Sequence, residues 1–100
     1  MTIIKNLDCT VRDGGYINNW RFNEKFINEY CSILNITNID YVEIGFINKT
    51  NNYKNKIVGE HRNLNEETIK KFDKYNFKKV VMADFTDVNY QLLENKINVD

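Results

Sequence analysis

Arg12-Asp13-Gly14-Gly15 is the stretch of this sequence whose residue types could do chemistry together. It follows an alternating segment, residues 3–10, and so is predicted to lie where a strand gives way to a turn. Asp13 is a hard oxygen ligand suited to Mg²⁺ or Mn²⁺. Arg12 is a fixed positive charge of the kind that stabilises a developing oxyanion. The same string also reads as a plain turn with a local ion pair. Glu43 is the second candidate, because it stands between Val42 and Ile44 in an apolar run. A buried carboxylate needs a partner. Arg12 is the natural one, and Glu43 would orient it; the alternative is a glutamate at a solvated strand end.

Other polar residues carry weaker signals. Asp84 closes a third apolar run and would bind substrate, cap the next helix or have no role, with capping the favoured reading. His61 is the single histidine, lies in a charged stretch and is read as a surface residue. Cys9 is read as a small packing residue. Cys9 and Cys31 form no CxxC pair and are expected to be reduced thiols. Gly14-Gly15 lacks the surrounding GxxxxGK or GxGxxG pattern of a phosphate-binding loop, so no nucleotide cofactor is expected. Trp20, with Asn18 and Asn19, is expected to pack against the neighbouring helix or to shape the loop over the pocket.

These residues need elements to position them. Residues 3–10 are predicted as a strand broken by Asp13-Gly14-Gly15. Asn23 can cap a helix over 24–35, with Phe26, Ile27, Tyr30, Cys31, Ile33 and Leu34 at helical spacing. Residues 40–47 form a second strand, and 48–62 a polar loop. Asn65 caps a second helix, with Glu66 and Glu67 in its first turn and Leu64 stapled onto Ile69. Residues 79–84 form a third strand, short and apolar as if covered on both faces. The tail, with Tyr90, Leu93 and Ile97, is predicted helical over 88–97. The basic stretch 70–79 is interrupted by Phe72, Asp73, Tyr75 and Phe77 and is read as one solvated helix face. The order strand-helix-strand-helix-strand-helix predicts an α/β fold with parallel strands and helices on one face, the beginning of a (β/α) barrel.

Composition bounds the function. Lysine plus arginine and aspartate plus glutamate number 14 each in 100 residues, giving a net charge of zero. That speaks against nucleic acid, which needs a basic face. An apolar fraction of 42% suffices for a core. No apolar run approaches the ~18 residues of a membrane span, and the N-terminus carries no export signal. A cytoplasmic protein with no membrane partner is expected. A closed eight-stranded barrel takes roughly 200–250 residues, so there is room for three units, and the barrel is incomplete in this chain.

Asp8-Cys-Thr-Val-Arg-Asp-Gly-Gly-Tyr16, followed by Asn18-Asn-Trp20, resembles the opening of the metal-dependent lyase and aldolase superfamily that includes 3-hydroxy-3-methylglutaryl-CoA lyase, isopropylmalate synthase and 4-hydroxy-2-oxovalerate aldolase. Tyr41-Val-Glu-Ile-Gly45 is similar to the family's second strand and Val80-Val-Met-Ala-Asp84 to its third. The resemblance is strongest to the aldolase-like branch, which opens with a Leu-Asp-Cys-Thr-Leu-Arg-Asp-Gly-Gly-Tyr segment and a nearby Asn-Asn-Trp. It implies that residues 1–100 are a partial TIM-barrel domain of the pyruvate carboxyltransferase/HMG-CoA lyase type. It implies a divalent metal, Mg²⁺ or Mn²⁺, with Asp13 as ligand, and an α-keto acid or acyl substrate whose C–C bond is cleaved or formed through an enolate. Arg12 would stabilise that enolate, and Glu43 would stand beside it.

The sequence also departs from the family. The His-x-His that completes the family's metal site is missing from these 100 residues, so missing sequence would have to supply it. Where the 4-hydroxy-2-oxovalerate aldolases carry a histidine three residues after the metal aspartate, this chain has Tyr16, which could transfer protons if its pKa of ~10 were lowered. There is no recognisable acetyl-CoA signal. Three open strands leave two unpaired edges and a bare face. Besides the enzyme reading, the sequence therefore admits a catalytically inactive truncated remnant. It equally admits a small α/β module that assembles, as a homo-oligomer or with a partner chain, through its open sheet.

Overall fold

The computed structural model describes residues 4–47 and 59–83 of the 100. Three parallel strands, β1 (Leu7–Asp8), β2 (Tyr41–Phe46) and β3 (Lys78–Met82), form one open sheet in the order β1-β2-β3. Between them run α1 (Thr10–Asn18), α2 (Glu24–Ile36), a 3₁₀ turn (Glu60–Arg62) and α3 (Glu66–Lys70). The in-order parallel α/β arrangement of open βα units is the one expected. No helix among the described residues is long and apolar enough to cross a membrane. The expected helix over 88–97 and the expected strand-end residue Asp84 lie outside the described residues.

The caps form as their residue types dictate. The Asn23 side chain accepts a hydrogen bond from the Lys25 amide, and the Asn65 side chain accepts one from the Thr68 amide. Each satisfies an amide that has no partner within its helix. Leu64 and Ile69, the expected staple pair, are both in the core.

Two expectations need correction. The first concerns β1, which is two residues long, and Arg12-Asp13-Gly14-Gly15, which lies inside α1 rather than in a turn. The Asp8 carboxylate accepts hydrogen bonds from the Thr10 amide and hydroxyl at 3.1 and 3.2 Å, so the chain leaves the extended conformation at once. The glycines do not break the helix, because Gly15 is filled from outside by a tryptophan described below. The second concerns the basic stretch 70–79, which is not one solvated helix face. The helix ends at Lys70, and Lys79 is on β3, 3% exposed, with its ammonium paired to Asp73.

Register decides which side chains share a face. Tyr41, Val42 and Glu43 pair with Lys78, Lys79 and Val80; after an irregularity, Gly45 pairs with Val81 and Phe46 with Met82. Side chains alternate regularly along β3, so Val80 and Met82 point to one face. Their partners Glu43 and Phe46 therefore share that face. Val42, Ile44 and Ile47 turn the other way, into a core with Ile27 and Cys31 of α2 and with Ile69 and Phe72. Cys31 is fully buried there, and burial pushes its thiol up to about 12.

Candidate active site

The side chains singled out by type meet where β1 ends. Leu7 and Asp8 pair with Tyr41 and Val42, so Cys9 stands level with Glu43. Arg12 follows in the first turn of α1. Its Nε makes an ion pair with the Glu43 carboxylate, whose side chain is 7% exposed. On its other side the Arg12 terminal nitrogen Nη2 lies 3.6 Å from the Asp13 carboxylate, which is 63% exposed. The Cys9 thiol is within hydrogen-bonding reach of both Arg12 and Glu43. Burial, first of all, raises the Cys9 pKa, so it remains a thiol; the contact with Cys9 and the charges of Glu43 and Asp13 raise that of Arg12. The cation is thus anchored from the buried side through Nε, with Nη2 toward the exposed Asp13 carboxylate. In sheets of parallel strands, ligands bind outside the carboxyl ends of the strands, which is where this pair sits.

A tryptophan holds the helix that carries Arg12. Trp20 is 4% exposed, and its indole N–H donates to the Arg12 carbonyl at 2.9 Å. Its backbone has φ 57°, a costly region for a bulky residue. Its amide is held there by the Asn18 side chain at 3.0 Å and by the Gly15 carbonyl at 3.1 Å. A Cβ on Gly15 would stand 1.9 Å from the indole. Gly15 is therefore the notch that admits Trp20. Tyr16, one turn after Arg12, is 70% exposed with its ring edge-on to Trp20 at 4.8 Å. Trp20 does pack on a helix, but on α1, where the sequence reading had a strand and a turn, and it adds the bond to Arg12.

His61 is the sharpest disagreement with the sequence reading. It is 2% exposed rather than at the surface. Its Nδ1 lies 2.7 Å from the Ile44 carbonyl, and Phe22 and Phe72 meet its ring edge-on at 5.6 and 5.9 Å. Burial lowers its pKa. Gly45 makes this approach possible: its φ is +143°, and a Cβ there would stand 2.0 Å from the His61 carbonyl oxygen. An isolated glycine inside a strand marks close backbone approach, and that was the available signal. A cavity of about 20 Å³ between α2 and α3, lined by His61, Glu60, Thr68 and Lys71, is large enough for a single water and lies apart from Arg12.

Sequence reasoning also passed over Arg62. Its guanidinium stacks on Phe46 at 4.1 Å and lies 5.3 Å from the Trp20 ring. The residues present do not by themselves fit a divalent ion. Among the described residues no group of three or more His, Cys, Asp or Glu side chains could hold one. Asp13 is a single exposed carboxylate beside a cation, and the Nδ1 of the buried His61 is engaged by the Ile44 carbonyl.

No family model matches the chain, and no curated protein matches it. Among solved structures it is similar to one described as the N-terminal domain of a putative aldolase from Bacteroides vulgatus. The identity is 31% and the TM-score 0.77, over 97% of this chain and 33% of that one. The chain thus spans a third of the solved chain it matches.

Proposed function

We propose that these residues are the N-terminal βα units of an aldolase-type lyase that makes or breaks a C–C bond beside the carbonyl of an α-keto acid or acyl substrate. The observation that carries the reading is the Arg12–Glu43 pair at the carboxyl end of β1. The likeness to the N-terminal domain of the putative aldolase supports it. Arg12 is a preorganised cation: Glu43 fixes Nε, Cys9 and the Trp20–carbonyl bond limit its movement, and Nη2 lies toward the exposed Asp13 carboxylate. Such a group stabilises an enolate oxygen as charge develops on it, without reorganising at that moment. Tyr16, on the same helical face one turn along, is the candidate for proton transfer. The partial barrel, residues 1–100, would need five further βα units to close. A divalent ion, Mg²⁺ or Mn²⁺, would add Lewis-acid polarisation of the substrate oxygens. The described residues offer it Asp13 alone, so the chemistry assigned to this chain is that of its own side chains. The two free thiols suit a cytoplasmic setting.

The test is enolisation, read as loss of the C3 proton signal of pyruvate in D₂O by NMR. The native protein that contains these residues is assayed with Mg²⁺ or Mn²⁺ present. Exchange above the buffer rate, falling about 100-fold or more in R12Q, is expected. Exchange equal to that of buffer and metal alone would overturn the reading.

A further inference from the structure

The residue that turns the chain out of β1 is itself tied to α2. Leu7 and Asp8 pair with Tyr41 and Val42, and Cys9 stands level with Glu43. Adjacent residues on a strand face opposite ways. Cys9 therefore lies on the side of the candidate site, and Asp8 on the side that α2 covers. There the Asp8 carboxylate accepts hydrogen bonds from the Thr10 amide and hydroxyl, where α1 begins, and from the Tyr30 hydroxyl of α2. Tyr30 is half-buried. Burial, followed by the bond to Asp8, raises the pKa of its phenol, so it remains a donor. The Tyr30 ring stacks on Phe26 at 5.8 Å, and Phe26 on Phe22 at 6.1 Å, with interplanar angles of 9° and 15°. Phe22 in turn stands 3.8 Å from where a Cβ on Gly14 would lie. The row of three rings thus meets the chain at two points, Asp8 just before α1 and Gly14 within it. Arg12 lies between those points.

We infer that Tyr30 is a positioning residue: its hydroxyl holds the Asp8 carboxylate, which sets where α1 leaves β1 and so where the Arg12 guanidinium stands against Glu43. This rests on the proposed function, with Arg12 at the developing oxyanion. A preorganised charge acts only from the right place, and a misplacement of about 1 Å can cost about 100-fold in rate. Losing an interaction made only in the transition state lowers kcat and leaves KM nearly unchanged.

The experiment uses the native protein that contains these residues, with Mg²⁺ or Mn²⁺, and follows exchange of the pyruvate C3 protons in D₂O. Y30F keeps the ring stack and loses the hydroxyl. Its kcat for exchange is expected to fall about tenfold or more while KM changes less than about twofold. The Arg12 Nε–H resonance, identified by its absence in R12Q, should move in Y30F. D8A removes the acceptor instead and should give the same two changes, so either variant carries the test. In Y30F/D8A the second substitution should add less than about twofold, because both act through one bond. Y75F is the control: the Tyr75 hydroxyl bonds the Asn28 carbonyl of the same helix at 3.5 Å, and its loss should change neither kcat nor the resonance. Wild-type kcat in Y30F, an Arg12 resonance that stays in place, additive losses in the double variant or an equal loss in Y75F each overturn the inference and leave the proposed function standing. Absence of exchange in wild type overturns both.

Discussion

Gly15→Ala sets two physical arguments against each other. Alanine in a helix interior is favoured over glycine by about 1 kcal/mol, and Gly15 is six residues into the nine of α1. Propensity alone therefore makes the variant more stable. Packing says the reverse. The new Cβ would lie 1.9 Å from the Trp20 indole, where carbon atoms in contact stand about 3.5–4.0 Å apart. The indole cannot simply yield, because Phe46 meets it edge-on at 5.9 Å and its N–H is bound to the Arg12 carbonyl. Overpacking of this kind costs about 1–3 kcal/mol, and loss of the indole bond adds about 1 kcal/mol. After the helix gain is set against these, a net loss of about 2 kcal/mol is expected. Urea denaturation followed by far-ultraviolet circular dichroism measures it, independently of the displaced fluorophore. With an m-value of about 1 kcal/mol/M, the midpoint should fall by about 2 M, and the Trp20 emission should shift to the red. A midpoint equal to or above wild type would refute the notch argument and leave Arg12 without its link to Trp20.

Gly45→Ala should cost about 3 kcal/mol or more in the same assay, since it adds both an unfavourable φ of +143° and a Cβ 2.0 Å from the His61 carbonyl oxygen. Glu43→Ala leaves Arg12 without its buried partner and should cost about 3 kcal/mol, whereas R12M/E43M should recover most of the loss; an additive double variant would show that the two side chains do not interact. His61 has its pKa lowered by burial, so the unfolded chain takes up a proton at a higher pH than the folded one. Stability is then full above its ordinary value of 6.5 and falls as pH drops below it toward the lowered folded value. Denaturation midpoints between pH 7.5 and 5 should show this slope, and H61F should remove its part; a slope unchanged in H61F would mean that His61 takes up its proton as readily in the folded chain as in the unfolded one.

Local chemistry made parts of this fold legible. Asn23 and Asn65 are caps by residue type, and both side chains accept from the expected first-turn amides. The parallel order followed from alternation and length, and Glu43 found Arg12 because a buried carboxylate has few choices. What was not legible depends on distant residues. Gly14-Gly15 looks like a strand breaker until Trp20 is placed against it. His61 sits among charged neighbours, and only its contacts with Ile44, Phe22 and Phe72 reveal it as core. Lys79 belongs by local pattern to a basic run, yet strand alternation buries it and Asp73 neutralises it.

The segment Val42-Glu-Ile-Gly-Phe-Ile47 ties core to site. Val42, Ile44 and Ile47 are each 1% exposed or less, all on the helix-covered face. Their spacing is two and then three, which a regular strand cannot place on one face. The register shift between Glu43 and Gly45 supplies the extra residue that this spacing requires. Once Ile47 is buried, Phe46 must turn to the opposite face, the face of Glu43. Gly45 is the residue able to take up the kink, because its φ of +143° is ordinary for glycine and because His61 then fits against it. The hydrogen bond from His61 to Ile44 closes the arrangement on the core side, and the stack of Arg62 on Phe46 closes it on the other. The geometry at the carboxyl end of β2 is thus a consequence of burying Ile47, and a change in the core behind the strand would move the candidate site in front of it.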